Sequence, residues 1–180
     1  MSGPRLLPPR ILAAVVAVAA RLDAAGIPWL LGGSAGRAAL GFRRRPRDVD
    51  VEVRAEQAAA AAAALGAALA RADDGTRSAW RASTTLAGVE VDLSAGLTVE
   101  RPGGRPPLAA DFDLERAFAR PVLLAGRHVW VAPPEEPLAV AIAAGDWGRF
   151  VRALEGAPRG LGLRASYLER RLAAAARAIR

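Results

Sequence analysis

The sequence predicts an α+β fold in which a small mixed sheet is flanked by helices and followed by a C-terminal helical appendage. Residues 10–25 place apolar side chains at helical spacing up to a glycine stop. Residues 27–131 contain short apolar runs bounded by Gly and Pro, which are typical of strands. Residues 133–180 begin with two prolines and carry three helical patterns. We therefore divide the chain into a core, residues 1–132, and the appendage, residues 133–180.

The first half of the core contains two strands and a short helix. Residues 27–31 are an apolar run that stops at a Gly-Gly-Ser sequence, which predicts a buried strand ending in a tight turn. Ser34 is a favoured N-cap residue, so we expect a short helix over residues 35–40. Acidic residues and valines then alternate over residues 48–53, which predicts a strand with carboxylates on one face.

The second half of the core mixes helices with two hairpins. Residues 55–72 are rich in Ala, and the high helix propensity of Ala predicts one long helix. A polar segment rich in Gly and Pro, residues 96–107, predicts a loop. The predicted hairpins pair residues 78–86 with 89–93 and residues 122–124 with 128–131, and a helix is predicted over residues 111–120.

The composition excludes several kinds of site. The chain has no Cys and one His, which excludes a disulfide framework, a thiolate zinc site and a histidine-rich metal site. Lys is absent, so the net charge of +7 rests on Arg alone. This bias is typical of a GC-rich genome, so the charge by itself is weak evidence for nucleic-acid binding.

An apolar stretch near the N-terminus, residues 11–20, imitates a signal peptide because arginines precede it. It is too short to span a bilayer, and the helical pattern continues beyond it to Gly26. We therefore expect a cytoplasmic protein with no membrane partner.

Asp48 and Asp50 should point the same way, because side chains alternate along a strand. Their Cα atoms would be roughly 6.6 Å apart at a rise of about 3.3 Å per residue. Carboxylates can converge over such a span on one or two Mg²⁺ ions. The alternative is an edge strand on which Asp48, Asp50 and Glu52 form a solvated acidic face.

The order of these residues resembles a family signature. Gly-Ser at residues 33–34, thirteen further residues, and Asp-Val-Asp-Val at residues 48–51 look like the motif of the DNA polymerase β-like nucleotidyltransferases. Residues 32–51 are most similar to the corresponding sequence of small prokaryotic members, the AbiEii-type toxins and the antibiotic adenylyltransferases. The resemblance implies a nucleotidyltransferase fold, a nucleoside triphosphate such as ATP as substrate, and a two-metal Mg²⁺ site.

The resemblance also implies a third carboxylate on a later strand, where Asp92 lies between apolar neighbours. Asp48, Asp50 and Asp92 are therefore the expected catalytic and metal-binding residues, with Asp92 as the base nearest the acceptor hydroxyl. Glu90 shares a face with Asp92 and would take its place in a different strand register.

The glycine turn is the expected binding site for the triphosphate. Gly32 and Gly33 permit close approach to the backbone, and Ser34 adds a hydroxyl donor. Arg37, one turn into the helix, and Arg45, in the arginine-rich loop that follows, are the expected helpers. The same loop is equally compatible with a solvated turn.

The appendage departs from the family pattern at one position. In AbiEii-like enzymes, a segment that starts with proline and acidic residues often carries a Lys shortly after the proline. Ala141 occupies that position here. Arg149 or Arg152 would substitute for the Lys only if they reach the cleft.

The sequence therefore predicts a Mg²⁺-dependent transferase that moves a nucleoside monophosphate from a triphosphate to an acceptor. We expect tRNA or another RNA as the acceptor, because arginines crowd the predicted site and the appendage. The alternatives are an antibiotic- or protein-directed adenylyltransferase and a non-catalytic module of the same fold. The resemblance to toxins also implies an antitoxin-like protein partner.

Overall fold

The computed structural model describes residues 7–177. The helices in this range are α1 (Pro9–Ala24), α2 (Gly33–Ala39), α3 (Ala58–Leu65), α4 (Phe112–Phe118), α5 (Glu136–Ala144), α6 (Trp147–Leu154) and α7 (Ala165–Arg177). The strands are β1 (Trp29–Leu31), β2 (Val49–Val53), β3 (Ala70–Asp73), β4 (Arg77–Leu86), β5 (Val89–Val99), β6 (Leu108–Ala109), β7 (Arg120–Leu124) and β8 (Arg127–Val131). The α+β class predicted from the sequence is confirmed.

The strands form one mixed sheet in the order β3-β4-β5-β2-β1-β8-β7, with β6 paired to β5. Strand β2 runs parallel to β5 and antiparallel to β1, so it is a central strand. The alternative of a solvated acidic edge strand at residues 48–53 is therefore wrong. The carboxylates of β2 instead lie between two neighbouring strands.

The valines of β2 point into the main hydrophobic core, which also contains residues of α1 and α3. They are buried in the same cluster as Ile11 and Ala61. Because side chains alternate along a strand, Asp50 and Glu52 face the opposite side of the sheet, where both are partly buried. One face of β2 therefore stabilises the fold, and the other faces the site.

The long helix predicted over residues 55–72 is wrong in its second half. A 3-10 turn (Ala55–Gln57) leads into α3, which ends at Gly66 in the left-handed conformation (φ 73°). The chain then forms β3, an exposed strand that pairs antiparallel with β4 at the edge of the sheet. Pairing with a neighbouring strand overrides the helix propensity of the alanines in this segment.

Two smaller predictions near the site are also corrected. Helix α2 begins at Gly33 with Gly32 as its N-cap, so Ser34 lies inside the helix and does not cap it. Strand β5 continues to Val99, beyond the predicted end at residue 93, and shortens the loop predicted over residues 96–107. The extra length of β5 follows from its pairing with β4 and β6.

The other predicted elements are present, whereas β6 was not predicted from the sequence. The β7–β8 hairpin turns at Ala125 and Gly126, both with positive φ, as a two-residue type I′ turn requires. The side chain of Asp111 caps α4. Helices α5, α6 and α7 confirm the helical appendage, although residues 178–180 lie outside the described part of the chain. Within residues 7–177, no helix is both long and apolar enough to cross a bilayer.

The appendage packs directly on the core. Val140 of α5 shares a buried cluster with Leu108 of β6. Arg171 of α7 donates hydrogen bonds to both carboxylate oxygens of Glu136, at 3.0 and 2.9 Å. These contacts position α5 and α7 beside the carboxylate face of the sheet. The division of the chain into a core and an appendage at residue 132 stays a prediction.

Candidate active site

Two of the three predicted carboxylates lie side by side on neighbouring strands. Asp50 of β2 and Asp92 of β5 are register partners, and Asp48 immediately precedes β2. Burial, and then the negative charges of Asp48 and Asp92, raise the pKa of Asp50. Glu90 is exposed and accepts a hydrogen bond from Ser83 at 3.3 Å. The observed register therefore brings Asp92, and not Glu90, next to Asp50.

The chemistry of these residues fits a divalent cation. Hard carboxylate oxygens are the ligands that Mg²⁺ prefers, and a cation would relieve the repulsion that raises the pKa of Asp50. Among residues 7–177, no three His, Cys, Asp or Glu side chains are grouped closely enough to hold a metal ion as they lie. Cation binding would therefore require Asp48, Asp50 and Asp92 to draw together.

The glycine turn packs directly against the carboxylates. The amide of Gly32 donates to the backbone oxygen of Asp50 at 2.9 Å, and the hydroxyl of Ser34 lies 3.4 Å from Asp48 Oδ1. Gly33 has a φ of 54°, and a Cβ there would lie 1.6 Å from Asp50 Oδ2. A Cβ on Gly32 would lie 2.4 Å from Glu52 Oε1. Only glycine therefore fits at Gly33, whereas a side chain at Gly32 would require the carboxyl end of Glu52 to shift.

A cavity of about 570 Å³ opens beside this turn, and one of its walls is basic. Arg37 of α2, Arg44 from the following loop, and Arg149 and Arg152 of α6 line it. Burial, followed by the charge of Arg44, lowers the pKa of Arg37, and burial lowers the pKa of Arg149. The Nε of Arg44 is buried without a hydrogen-bond partner in the described structure. Crowded guanidinium groups of this kind favour a bound anion.

The arginines that line the cavity differ in part from Arg37 and Arg45, the two that the sequence suggests for binding the triphosphate. Arg37 lines the cavity as expected, whereas Arg45 is exposed and does not line it. Arg149 and Arg152 do reach the cleft, which is the condition for replacing the Lys that Ala141 displaces. The role of Arg45 in nucleotide binding stays a prediction.

Another part of the cavity wall is acidic. Glu52 of β2, Glu115 of α4 and Glu136 of α5 line it. The carboxyl groups of Glu52 and Glu115 hydrogen-bond to each other, which requires a proton on one of them. Burial, together with the charges of Glu52 and Glu136, holds the pKa of Glu115 well above its ordinary value. Arg171 and Tyr167 both donate to Glu136 and fix it in place.

Nothing in the sequence around Glu115 or Glu136 indicates a site. Both lie in the first turn of short helices, where an acidic residue is common for local reasons. The feature that marks Glu115 as a candidate is its burial, since it is only 4% exposed. A buried carboxyl without a cationic partner is often functional. Burial itself becomes visible only once α4 packs against β2.

Replacing Glu115 with Gln should make the folded protein more stable at neutral and higher pH. The raised pKa means that the folded state binds the proton more tightly than the unfolded state, so wild-type stability falls as pH rises above the ordinary value of 4.5. Gln keeps a hydrogen bond to Glu52 without ionising. At neutral pH the free energy of unfolding of the variant should therefore exceed that of wild type by on the order of 1 kcal/mol or more.

Urea unfolding between about pH 4 and pH 9 measures this difference. The two proteins should have similar stability at the acidic end and diverge as pH rises. The matched control is Glu169→Gln, an exposed carboxylate on α7, which should leave the profile unchanged. Parallel pH profiles for wild type and Glu115→Gln would show that the carboxyl titrates normally.

Comparison with known proteins finds one matching family model. The family model of aminoglycoside-2''-adenylyltransferase matches residues 14–101, which include the glycine turn and all three aspartates. No curated protein sequence matches the chain at a significant level.

Two solved structures show the same fold. One is described as a nucleotidyltransferase from Thermotoga maritima, with 18% identity and a TM-score of 0.67, covering 82% of this chain and 91% of that chain. The other is ANT(2'')-Ia in complex with adenylyl-2''-tobramycin, with 18% identity and a TM-score of 0.50, covering 93% of this chain and 98% of that chain. The chain is therefore similar to nucleotidyltransferases in the sequence of residues 14–101 and in its fold.

Proposed function

We propose that this protein transfers a nucleoside monophosphate from a nucleoside triphosphate to an acceptor hydroxyl in a Mg²⁺-dependent reaction. The observation that carries the proposal is the pairing of Asp50 with Asp92 beside the turn at Gly33. Carboxylates and a close backbone turn at one edge of a cavity suit a site that binds a metal and a triphosphate together.

The triphosphate fits between the glycine turn and the basic wall. Gly32 and Gly33 leave room for phosphate oxygens to approach the backbone, and Ser34 offers a hydroxyl. Arg37 and Arg149 supply guanidinium groups from two different helices, and pairing with phosphate would relieve the crowding that lowers their pKa values.

The carboxylates would serve the transfer step. A divalent cation held by Asp48, Asp50 and Asp92 would supply Lewis-acid activation and neutralise charge on the leaving pyrophosphate. Asp92 accepts the proton of the acceptor hydroxyl, and the hydroxyl oxygen forms a bond to the α-phosphorus. The bond from the α-phosphorus to the bridging oxygen breaks, and pyrophosphate leaves with both bonding electrons.

The acceptor that the cavity supports best is a small molecule that carries amino groups. Glu52, Glu115 and Glu136 add carboxyl groups to the cavity wall, and an ammonium group would stabilise their ionised forms. The matched family model is named for aminoglycoside adenylylation, and ANT(2'')-Ia was solved with an adenylylated tobramycin. Both findings support an antibiotic-like acceptor for this chain.

An RNA acceptor is the second candidate, and a different observation favours it. Arg43, Arg45 and Arg47 are exposed along the loop that joins α2 to β2. They are free to contact a phosphate backbone at the rim of the site. The acidic wall inside the cavity opposes this acceptor, because it would repel phosphate groups.

The test is to incubate the protein with Mg²⁺, each α-labelled nucleoside triphosphate in turn, and one acceptor. The acceptors are a panel of aminoglycosides, total tRNA, or the protein alone. We expect label on an aminoglycoside, and we expect Glu136→Gln to raise the KM for that acceptor more than the KM for the triphosphate. If tRNA is the true acceptor, the logarithm of its affinity should fall by about 0.7 to 0.9 per phosphate contact for each tenfold rise in salt concentration.

The outcomes separate the alternatives. Label on tRNA alone would replace the small acceptor with RNA. Label on the protein alone would indicate a protein-directed adenylyltransferase. Triphosphate binding without transfer to any acceptor would favour a non-catalytic module, and the absence of triphosphate binding would contradict the proposal as a whole.

A further inference from the structure

Arg81 of β4 lies on the carboxylate face of the sheet, next to the candidate active site. Strand β4 pairs antiparallel with β5, and Ser83, two residues after Arg81, is the register partner of Asp92. Arg81 is therefore a diagonal neighbour of Asp92, and such neighbours are about 7 to 8 Å apart, within reach of a long side chain. Ala82 is buried in the hydrophobic core, so Arg81 and Ser83 point to the other face, where Asp92 lies.

The guanidinium group of Arg81 adds a positive charge to the carboxylate side of the cavity. Arg81 lines the cavity together with Asp50. Burial and the charges of Asp48 and Asp92 raise the pKa of Asp50, and the charge of Arg81 opposes that rise. Among the described side chains, no carboxylate oxygen lies within 4 Å of Arg81. Arg81 is therefore a cation beside the carboxylates that none of them holds in an ion pair.

A bound Mg²⁺ would change the surroundings of Arg81. In the proposed reaction a divalent cation is held by Asp48, Asp50 and Asp92, and two positive groups so close together repel each other. An oxyanion between the cation and the guanidinium group would pair with both and remove the repulsion. The loaded site therefore favours an anion on the side of the metal that faces β4.

The α-phosphate is the anionic group of the substrate that fits this position. The glycine turn follows β1, whereas Arg81 lies on β4, and β2 and β5 separate these two strands in the sheet. In the proposed function the triphosphate binds at the glycine turn, and Asp92 takes the proton of the attacking hydroxyl. The α-phosphorus that this hydroxyl attacks then lies between the glycine turn and Arg81.

We propose that Arg81 is a catalytic residue that donates hydrogen bonds to a non-bridging oxygen of the α-phosphate during transfer. This inference rests on the proposed function and adds a residue to it. The acceptor oxygen forms a bond to the α-phosphorus, its proton goes to Asp92, and pyrophosphate leaves with the bonding electrons. Negative charge is spread over the non-bridging oxygens in that step, so a guanidinium group directed at them stabilises the transition state.

Metal binding in the absence of nucleotide tests the position of Arg81. Arg81→Gln should bind Mg²⁺ about fivefold more tightly than wild type, because a positive charge near the metal is removed. Isothermal titration with Mg²⁺ alone measures this difference. The matched control is Arg71→Gln on β3, since Arg71 stacks over the ring of Trp80 at 5.6 Å and is not among the residues that line the cavity. Equal Mg²⁺ affinity of Arg81→Gln and wild type would overturn the placement of Arg81 beside the metal.

Steady-state kinetics test the catalytic role. Arg81→Gln should lower kcat by about 100-fold or more and leave the KM of both substrates nearly unchanged, because the contact is strongest in the transition state. Arg81→Lys keeps the charge but loses the fork of donors, so it should recover part of the lost rate. Arg71→Gln should keep the wild-type kcat. Thermal unfolding of each variant verifies that it is folded.

The outcomes separate this inference from the proposed function. A wild-type rate in Arg81→Gln would overturn the inference and leave the proposed function intact. A rise in the KM for the acceptor at unchanged kcat would also overturn it, because Arg81 would then bind the acceptor and not the α-phosphate. A wild-type protein that transfers no nucleotide would contradict the proposed function itself, and the catalytic role of Arg81 with it.

Discussion

Replacing Asp50 with Asn should abolish nucleotide transfer and, at the same time, raise the stability of the metal-free protein. Burial and the charges of Asp48 and Asp92 raise the pKa of Asp50, so the ionised carboxylate costs free energy in the folded state. Removing the charge should add about 1 kcal/mol to the free energy of unfolding at neutral pH. Asn still accepts the backbone hydrogen bond from Ser34, so the turn should remain intact.

The loss of transfer should exceed about 100-fold, the effect that even outer-shell partners of a bound metal can have. Mg²⁺ should raise the melting temperature of wild type and leave that of Asp50→Asn unchanged. Glu90→Gln is the matched control, because Glu90 lies on the same strand as Asp92 but is exposed. Full turnover of Asp50→Asn would show that Asp50 is not needed for transfer. A rise in melting temperature with Mg²⁺ as large as that of wild type would show that Asp50 does not bind the metal.

Replacing Gly33 with Ala should disable the site through a single methyl group. The new Cβ would lie 1.6 Å from Oδ2 and 2.3 Å from Cγ of Asp50, so the carboxylate or the turn must move. Displacement by about 1 Å near the reacting groups typically costs about 100-fold in rate. The KM for the triphosphate should also rise, because the same turn approaches the phosphates. The left-handed φ of 54° adds a backbone cost of about 1 to 2 kcal/mol.

Gly26→Ala separates the two effects. Gly26 has a φ of 66°, and a Cβ there would meet nothing within 4 Å, so this variant has the backbone cost alone. Urea unfolding and steady-state kinetics should show similar destabilisation of both variants but loss of transfer only in Gly33→Ala. Equal activity of the two variants would show that Asp50 is not held by the close packing of Gly33.

Much of the candidate site follows from local patterns. The alternation over residues 48–53 determines that Asp50 and Glu52 share a face, because the side-chain period of a strand is two. Glycines mark the turn because of the left-handed φ at Gly33 and the space that Asp50 and Glu52 occupy. The positions of these residues in the chain were therefore enough to predict a carboxylate face beside a turn.

The choice between Asp92 and Glu90 shows where local patterns end. The two residues share a face of β5, and a shift of register by two residues keeps every side chain on the same face. Alternation therefore cannot distinguish them. The observed pairing places Asp92 beside Asp50. The alignment of β5 between β2 and β4 therefore decides between Asp92 and Glu90.

The α+β class, most of the helices and strands, and the carboxylate face could all be predicted from the chain, because each depends on residues within a few positions of one another. The central place of β2, the strand at residues 70–73, and the cavity that Arg37, Arg149 and Glu115 line together could not. These features join segments that are far apart in the chain. Their cause is the packing of α4, α5 and α6 against the sheet, and no local pattern encodes that packing.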